Sequence, residues 1–180
     1  MSGLDWRPAL DHPDLVAPAT LDTLTRWVAV RPEVAEAVQV APIDPDLADT
    51  AALVAAYNLD PDTSVNCVLV AGRRGEIEHL AAALVPASTK ADVNHRIRTL
   101  LDAKKASFLA MDRAVTDSGM EYGGITAIGL PTTYRILIDA RVDTPTPVII
   151  GSGRRRSKLC LPGALLAALP GAEVIDGLAV

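Results

Sequence analysis

Long apolar runs, aromatic side chains and cysteines are all scarce in this chain, and each scarcity closes off a class of protein. No apolar stretch approaches the roughly 20 residues that a membrane-spanning helix needs. Aromatics make up 3% of the 180 residues while apolar residues reach 49%, so the core must be built from Ala, Val, Leu and Ile. The two cysteines, Cys67 and Cys160, both lie within apolar runs. That fits buried free thiols in a reducing compartment better than a disulfide framework. His12, His79 and His95 have no partner at metal-ligand spacing, and no Cys-x-x-Cys occurs, so neither a metal nor a cofactor is expected. Ser152 lies in Gly151-Ser152-Gly153 rather than in a Gly-x-Ser-x-Gly elbow. The stretch from Gly153 to Lys158 lacks the Gly-Lys-Ser/Thr ending of a P-loop, and the dinucleotide fingerprint is absent. Kinases, ATPases, zinc hydrolases and serine hydrolases are thereby excluded. The N-terminus has no charged-then-apolar leader pattern, because Trp6, Arg7 and Asp11 interrupt it. A cytoplasmic protein is expected.

The net charge of −5 argues against a protein that coats a nucleic-acid backbone. Eight of the 17 cations are nevertheless clustered, at Arg73 and Arg74, Lys104 and Lys105, and Arg154, Arg155, Arg156 and Lys158. Such clusters suit either solvated turns or a grip on the end of a nucleic acid.

A helical N-terminal extension over 1–40 is expected to precede the main domain over 41–180. Its first 19 residues, with Pro8, Pro13 and Pro18, read as irregular. Thr20 is expected to cap a helix over 20–30, and Pro32 to open a short helix through Val38. Asp49 or Thr50 caps a helix to Tyr57, which Asn58 ends. Residues 65–71 and 77–85 read as a hairpin across a four-residue turn over 72–75. The Thr89 to Asp92 stretch resembles a capping box ahead of Val93, Ile97, Leu100 and Leu101 at helical spacing. Strands are expected over 40–43, 107–111, 134–140, 147–150, 157–161 and 173–175, with short helices over 112–116 and 162–169. Strands and helices mix without regular alternation. This predicts an α+β fold with a mixed, mostly antiparallel curved sheet or partial barrel surrounded by helices.

The most informative stretch is Gly-Met-Glu-Tyr-Gly-Gly-Ile-Thr-Ala-Ile-Gly at 119–129, where four glycines free the backbone for positive φ and for close approach. A second glycine turn, Gly151-Ser152-Gly153, opens into Arg154, Arg155 and Arg156. Together they suggest a site of main-chain amides with cationic charge beside it, suited to an anionic or carbonyl-bearing ligand.

From Ile43 to Leu178 the chain resembles the YbaK/prolyl-tRNA-synthetase-associated editing domain family. The resemblance rests on Ala48-Asp49-Thr50-Ala51, Asn66-Cys67-Val68-Leu69-Val70, the 119–129 loop, Leu137-Ile138-Asp139 and the Gly151 to Arg155 turn, in that order. It implies a metal-free hydrolase that cleaves the ester of a mischarged aminoacyl-tRNA at the acceptor end, with a synthetase or other protein as a further partner. By position, Gly123, Gly124, Thr126 and Gly129 would form the amide loop, flanked by Gly151, Ser152 and Gly153. Arg154, Arg155 and Lys158 would contact phosphates. Asp139 would contact the amino acid's ammonium or the ribose, or else be a strand-end turn residue. The family's lysine falls at Asn66 and its loop proline at Ala127. Asparagine offers a neutral amide where lysine offers a fixed charge, so Asn66→Lys is expected to restore hydrolysis if the pocket has lost its cation. The alternative is a non-catalytic module that binds a tRNA end, a nucleotide or a protein in the same pocket. That reading gains if no cation faces Asn66.

Overall fold

The apolar runs on either side of Gly75 form the spine of the molecule. In this computed structural model, which describes residues 3–180, β3 (Val65–Arg74) and β4 (Ile77–Pro86) pair antiparallel with Arg74 opposite Ile77. The turn is therefore two residues long rather than four, and Gly75 supplies its positive φ of 63°. β5 (Lys105–Phe108) adds antiparallel to the outer edge of β3. On the other side β6 (Tyr134–Asp139) pairs parallel with β4, and β9 (Ala172–Ile175) parallel with β6. A second, wholly antiparallel sheet has the order β1 (Arg7–Pro8), β2 (Gln39–Pro42), β8 (Ser157–Pro162), β7 (Pro147–Gly151). The α+β class is as expected. So is the mostly antiparallel pairing; the strands divide into two sheets, and no closed barrel forms among the described residues.

The sheets meet where Ser64, just ahead of β3, bridges Ile149 of β7, with the Ile149 amide donating to Thr63 O at 2.8 Å. β4 is buried on both faces, which explains its unbroken Leu-Ala-Ala-Ala-Leu-Val run. Ala81, Ala83 and Val85 face one apolar cluster with Ile97, Leu101 and Leu178. Ala82 and Leu84 face the other, with Leu24, Trp27, Leu159 and Leu161.

Among the described residues six α-helices cover these sheets. α1 (Pro18–Val30) starts two residues before Thr20, since a proline is favoured in the first helical turn. Thr20 is consequently inside the helix and fully buried instead of capping it. Leu24 and Trp27 of α1, and Val34 of α2 (Val34–Ala37), share the core with Ile150 and Leu159. Trp27 is thus packed inward and presents no surface to a partner. Asp49 caps α3 (Thr50–Tyr57) by accepting from the Ala51 and Ala52 amides, and Asn58 closes it in the left-handed region.

The capping box expected from Thr89 does not form. Asp92 caps a single π turn, Val93–Ile97, by accepting from the His95 and Arg96 amides, and α4 (Arg98–Leu100) continues it. The strand expected over 107–111 is displaced to β5 by its pairing with Val70 to Arg73, and Met111 instead begins α5 (Met111–Ser118). Pro162 ends β8 and caps α6 (Gly163–Ala167) rather than opening it. Among the described residues no helix is long and apolar enough to cross a membrane.

Candidate active site

A cavity of about 490 Å³ opens at the junction of the two sheets. Four separate parts of the chain build it. Asn66 and Cys67 come from the start of β3, Asp49 and Thr50 from the cap of α3, Tyr122, Gly123 and Ile125 from the glycine loop, and Gly151, Arg155 and Lys158 from the β7–β8 hairpin. A second cavity of about 390 Å³ adjoins it across Asp49, Thr50 and Asn66, and is lined otherwise by Ala51, Val54, Ala55, Pro61 and Ala87.

Asn66 is held by its neighbour across the cavity rim. The Thr50 hydroxyl donates to Asn66 Oδ1 at 2.6 Å, which leaves the Nδ2 hydrogens as donors with no protein acceptor among the described residues. The amides of Gly123 and Ile125 likewise donate to no acceptor among the described residues. Lys158 is 5% exposed, and its Nζ donates to Ala48 O at 3.0 Å and Gly123 O at 3.2 Å. Burial pushes its pKa down to about 8, with Asp49 acting to raise it and Arg155 to lower it further. Arg155 lies 5.9 Å from the Tyr122 ring centroid and donates to Tyr122 O at 3.4 Å. Burial pushes the Cys67 thiol up to about 12, so it stays protonated and unreactive at neutral pH. Two cations therefore share the cavity with Asn66.

Of the residues expected from sequence, the structure brings Asn66, Gly123, Gly151, Arg155 and Lys158 together at the cavity. Others do not line it but join the two loops that do. The Gly124 amide donates to Glu121 O at 2.9 Å, and Gly124 O accepts from Gly153 N at 2.7 Å. A Cβ on Gly124 would sit 2.4 Å from the main chain of Arg154. Gly124→Val would therefore force the two loops apart. Ser152 is fully buried and shares a 2.8 Å hydrogen bond with Ser157, and a Cβ on Gly153 would strike Ala17. Arg154 pairs with Glu121 at 3.0 Å.

Three expected residues point elsewhere. Thr126 is fully buried, and its hydroxyl has no partner among the described residues. Gly129 packs against the backbone of Ala19 and Thr20 at the start of α1. Asp139 is buried, accepts from Arg141 at 2.7 and 3.0 Å and from the Ala179 amide at 3.0 Å, and ties down the C-terminal segment.

Burial alone would raise the Asp139 pKa, but Arg141 and the two main-chain amides outweigh it and hold the carboxyl below its ordinary range. Stability from this group is present above the unfolded carboxylate pKa and is lost as pH falls through the folded one. Arg141 is half exposed, which discounts the pair. Asp139→Asn is therefore expected to lower stability by about 2 kcal/mol at pH 7 while leaving ligand affinity unchanged. Urea denaturation alongside a binding titration checks both parts.

Sequence reasoning missed Glu121, Tyr122 and Ile125. Glu121 joins the two loops: its amide donates to Gly153 O at 2.9 Å, and its carboxylate accepts from the Arg155 amide at 2.7 Å. That hydrogen bond, opposed by burial and aided by Arg154, lowers its pKa. Only its place between glycines in the 119–129 run signalled it.

The profile of the aminoacyl-tRNA editing domain matches residues 44–169. No curated protein matches the sequence. Among solved structures, a hypothetical protein superposes with a TM-score of 0.72 at 17% identity, covering 86% of this chain and 97% of its own. A candidate trans-editing enzyme for prolyl-tRNA synthetase superposes at 0.69 with 17% identity, covering 89% and 97%. A candidate signal transduction protein from Marinobacter aquaeolei gives 0.57 at 16% identity, covering 97% of this chain but 31% of that one. At these identities the superpositions establish the fold alone.

Proposed function

We propose that this chain, which belongs to the aminoacyl-tRNA editing domain family, hydrolyses the ester of mischarged tRNA in trans, in the cytoplasm, using the cavity between its two sheets. The observation that carries the reading is the set of donors left without a protein acceptor on residues that line one concave site: Asn66 Nδ2, the amides of Gly123 and Ile125, and the one remaining N–H of the buried Lys158 ammonium. Of the nucleophilic side chains among the described lining residues, the Cys67 thiol stays protonated, the Thr50 hydroxyl donates to an amide oxygen rather than to a base, and the Lys158 amine is mostly charged at neutral pH. The attacking group is therefore water. Water adds to the ester carbonyl carbon, the carbonyl oxygen takes up the electron pair, and the intermediate expels the ribose oxygen. That oxygen ends with the proton released by the water, so the products are free amino acid and tRNA with its terminal hydroxyl. Donors fixed before the reaction stabilise the developing oxyanion without reorganising, an effect worth about 3–4 kcal/mol per donor removed in a comparable hydrolase.

Arg155 and Tyr122, on the solvent side of the cavity, suit the terminal phosphate and base of the acceptor end, through charge and a π face. Arg155→Ala is expected to weaken tRNA binding and to reduce the salt slope by about one counterion. Arg154→Ala should leave that slope unchanged, since Arg154 is engaged by Glu121. Binding measured over a range of salt concentrations separates the two.

The proposal itself is tested with an amide-linked aminoacyl-adenosine, which keeps the shape of the substrate and resists hydrolysis. Its addition should shift the amide resonances of Gly123 and Ile125 and leave those of Thr126 and Gly129 in place. Binding that leaves Gly123 and Ile125 undisturbed would move the site away from this cavity.

A further inference from the structure

Lys158 is an unusual lysine. It projects from β8, opposite Gly151 in the β7–β8 register, and is 5% exposed. Among the described residues it makes no ion pair with a carboxylate. A buried ammonium without a counter-charge is costly, and proteins normally neutralise or pair it. Here two main-chain carbonyls, Ala48 O and Gly123 O, take two of its three N–H donors. The third is left for whatever occupies the cavity. The same contact with Gly123 O fixes the loop that carries the open amides of Gly123 and Ile125.

Resting on the proposed deacylase reading, we propose that Lys158 is the catalytic cation of this site, its remaining N–H meeting the oxygen of the scissile ester as negative charge develops there. The missing counter-charge is thus supplied by the transition state. Lys158 would not serve as a standing phosphate ligand. Arg155 is the better phosphate ligand, because it is partly exposed while Lys158 is buried. The other groups that bear on the ammonium are Asp49 at the cap of α3, Arg155 on the hairpin, and Tyr122 and Cys67 on the cavity wall. Asp49 favours the charged form and Arg155 opposes it. The thiol of Cys67 stays neutral.

The role gives a pH signature. An ammonium with a pKa of about 8 is charged below that value and neutral above it, so the enzymatic rate should fall as pH rises through that range once background ester hydrolysis is subtracted. Lys158→Met keeps the volume and removes the charge. It should lower kcat by about 100-fold or more and change tRNA affinity by less than about threefold. Lys158→Arg should retain part of the activity and lose the decline above pH 8, because a guanidinium does not titrate there.

A merely structural lysine would not move the pH profile, and a phosphate ligand would lose affinity in place of kcat; either result overturns the assignment. Thermal unfolding of both variants establishes that they are folded. If Lys158→Met does not fold, the Lys158→Arg profile alone decides. An aminoacyl phosphonate ester of adenosine, whose anionic oxygen mimics the tetrahedral intermediate, separates this inference from the deacylase reading. The native protein should bind it at least tenfold more tightly than the amide-linked analogue, and Lys158→Met should abolish that preference. Failure of the native protein to hydrolyse any mischarged tRNA would sink the deacylase reading. A phosphonate preference undiminished in Lys158→Met would sink the role of Lys158 whether or not the native protein hydrolyses esters.

Discussion

Gly151→Ala is expected to destabilise the protein by about 3 kcal/mol and to abolish binding at the cavity. A Cβ there would lie 2.3 Å from Gly124 O and 2.5 Å from Ile125 O, distances that no side-chain adjustment relieves because both atoms are main chain. The two loops would have to separate. That breaks the 2.7 Å bond from Gly153 N to Gly124 O and the 2.9 Å bond from Glu121 N to Gly153 O. Overpacking of this kind costs about 1–3 kcal/mol, and two buried hydrogen bonds add to it. Gly119→Ala is the control. Its φ of +64° is strained for alanine, but nothing lies within 4 Å of the added carbon, so a cost of about 1 kcal/mol is expected. Urea denaturation of the two variants should give clearly separated midpoints. Equal midpoints would mean that the loops do not dock main chain to main chain.

A lysine at position 66 is expected to harm the native protein and help a defective one. In the native background Asn66→Lys removes the acceptor of the Thr50 hydroxyl and adds an ammonium to a cavity that already holds Lys158 and Arg155. Repulsion between like charges drives the Lys158 pKa below its value of about 8, so at pH 8 less of it is charged. Deacylation should fall about fivefold there, since a pKa lowered by about one unit leaves about a tenth of the ammonium charged at pH 8 where about half was before. In the Lys158→Met background the same substitution returns a cation to the cavity and should raise activity about tenfold. A gain of activity in the native background would instead show that the site lacked a cation, which the sequence alone suggested and which the placement of Lys158 argues against.

Much of the fold was legible because its signals are local. The unbroken apolar run of β4, the Asp49 cap and the left-handed Asn58 each follow from a few neighbouring residues. Parallel pairing of β4 with β6 and the split into two sheets depend on contacts distant in sequence and carry no local pattern. The site was legible in part for the same reason. Glycines at 123, 124, 151 and 153 do mark a place where backbone is approached closely, but the approaching atoms are the protein's own: main chain at 124 and 151, Ala17 at 153, and Arg155 and Ala48 at 123. The spacing of glycine cannot tell these apart. Lys158 read as one of a run of surface cations, because composition does not reveal that β8 turns it inward while Arg154, Arg155 and Arg156 stay partly or fully exposed.

The most direct measurement is release of amino acid from a panel of mischarged tRNAs with protein at one-hundredth of the tRNA concentration. The account predicts many turnovers on at least one tRNA, with the rate falling as pH rises past 8. Release no faster than the background ester hydrolysis on every tRNA of the panel would contradict it.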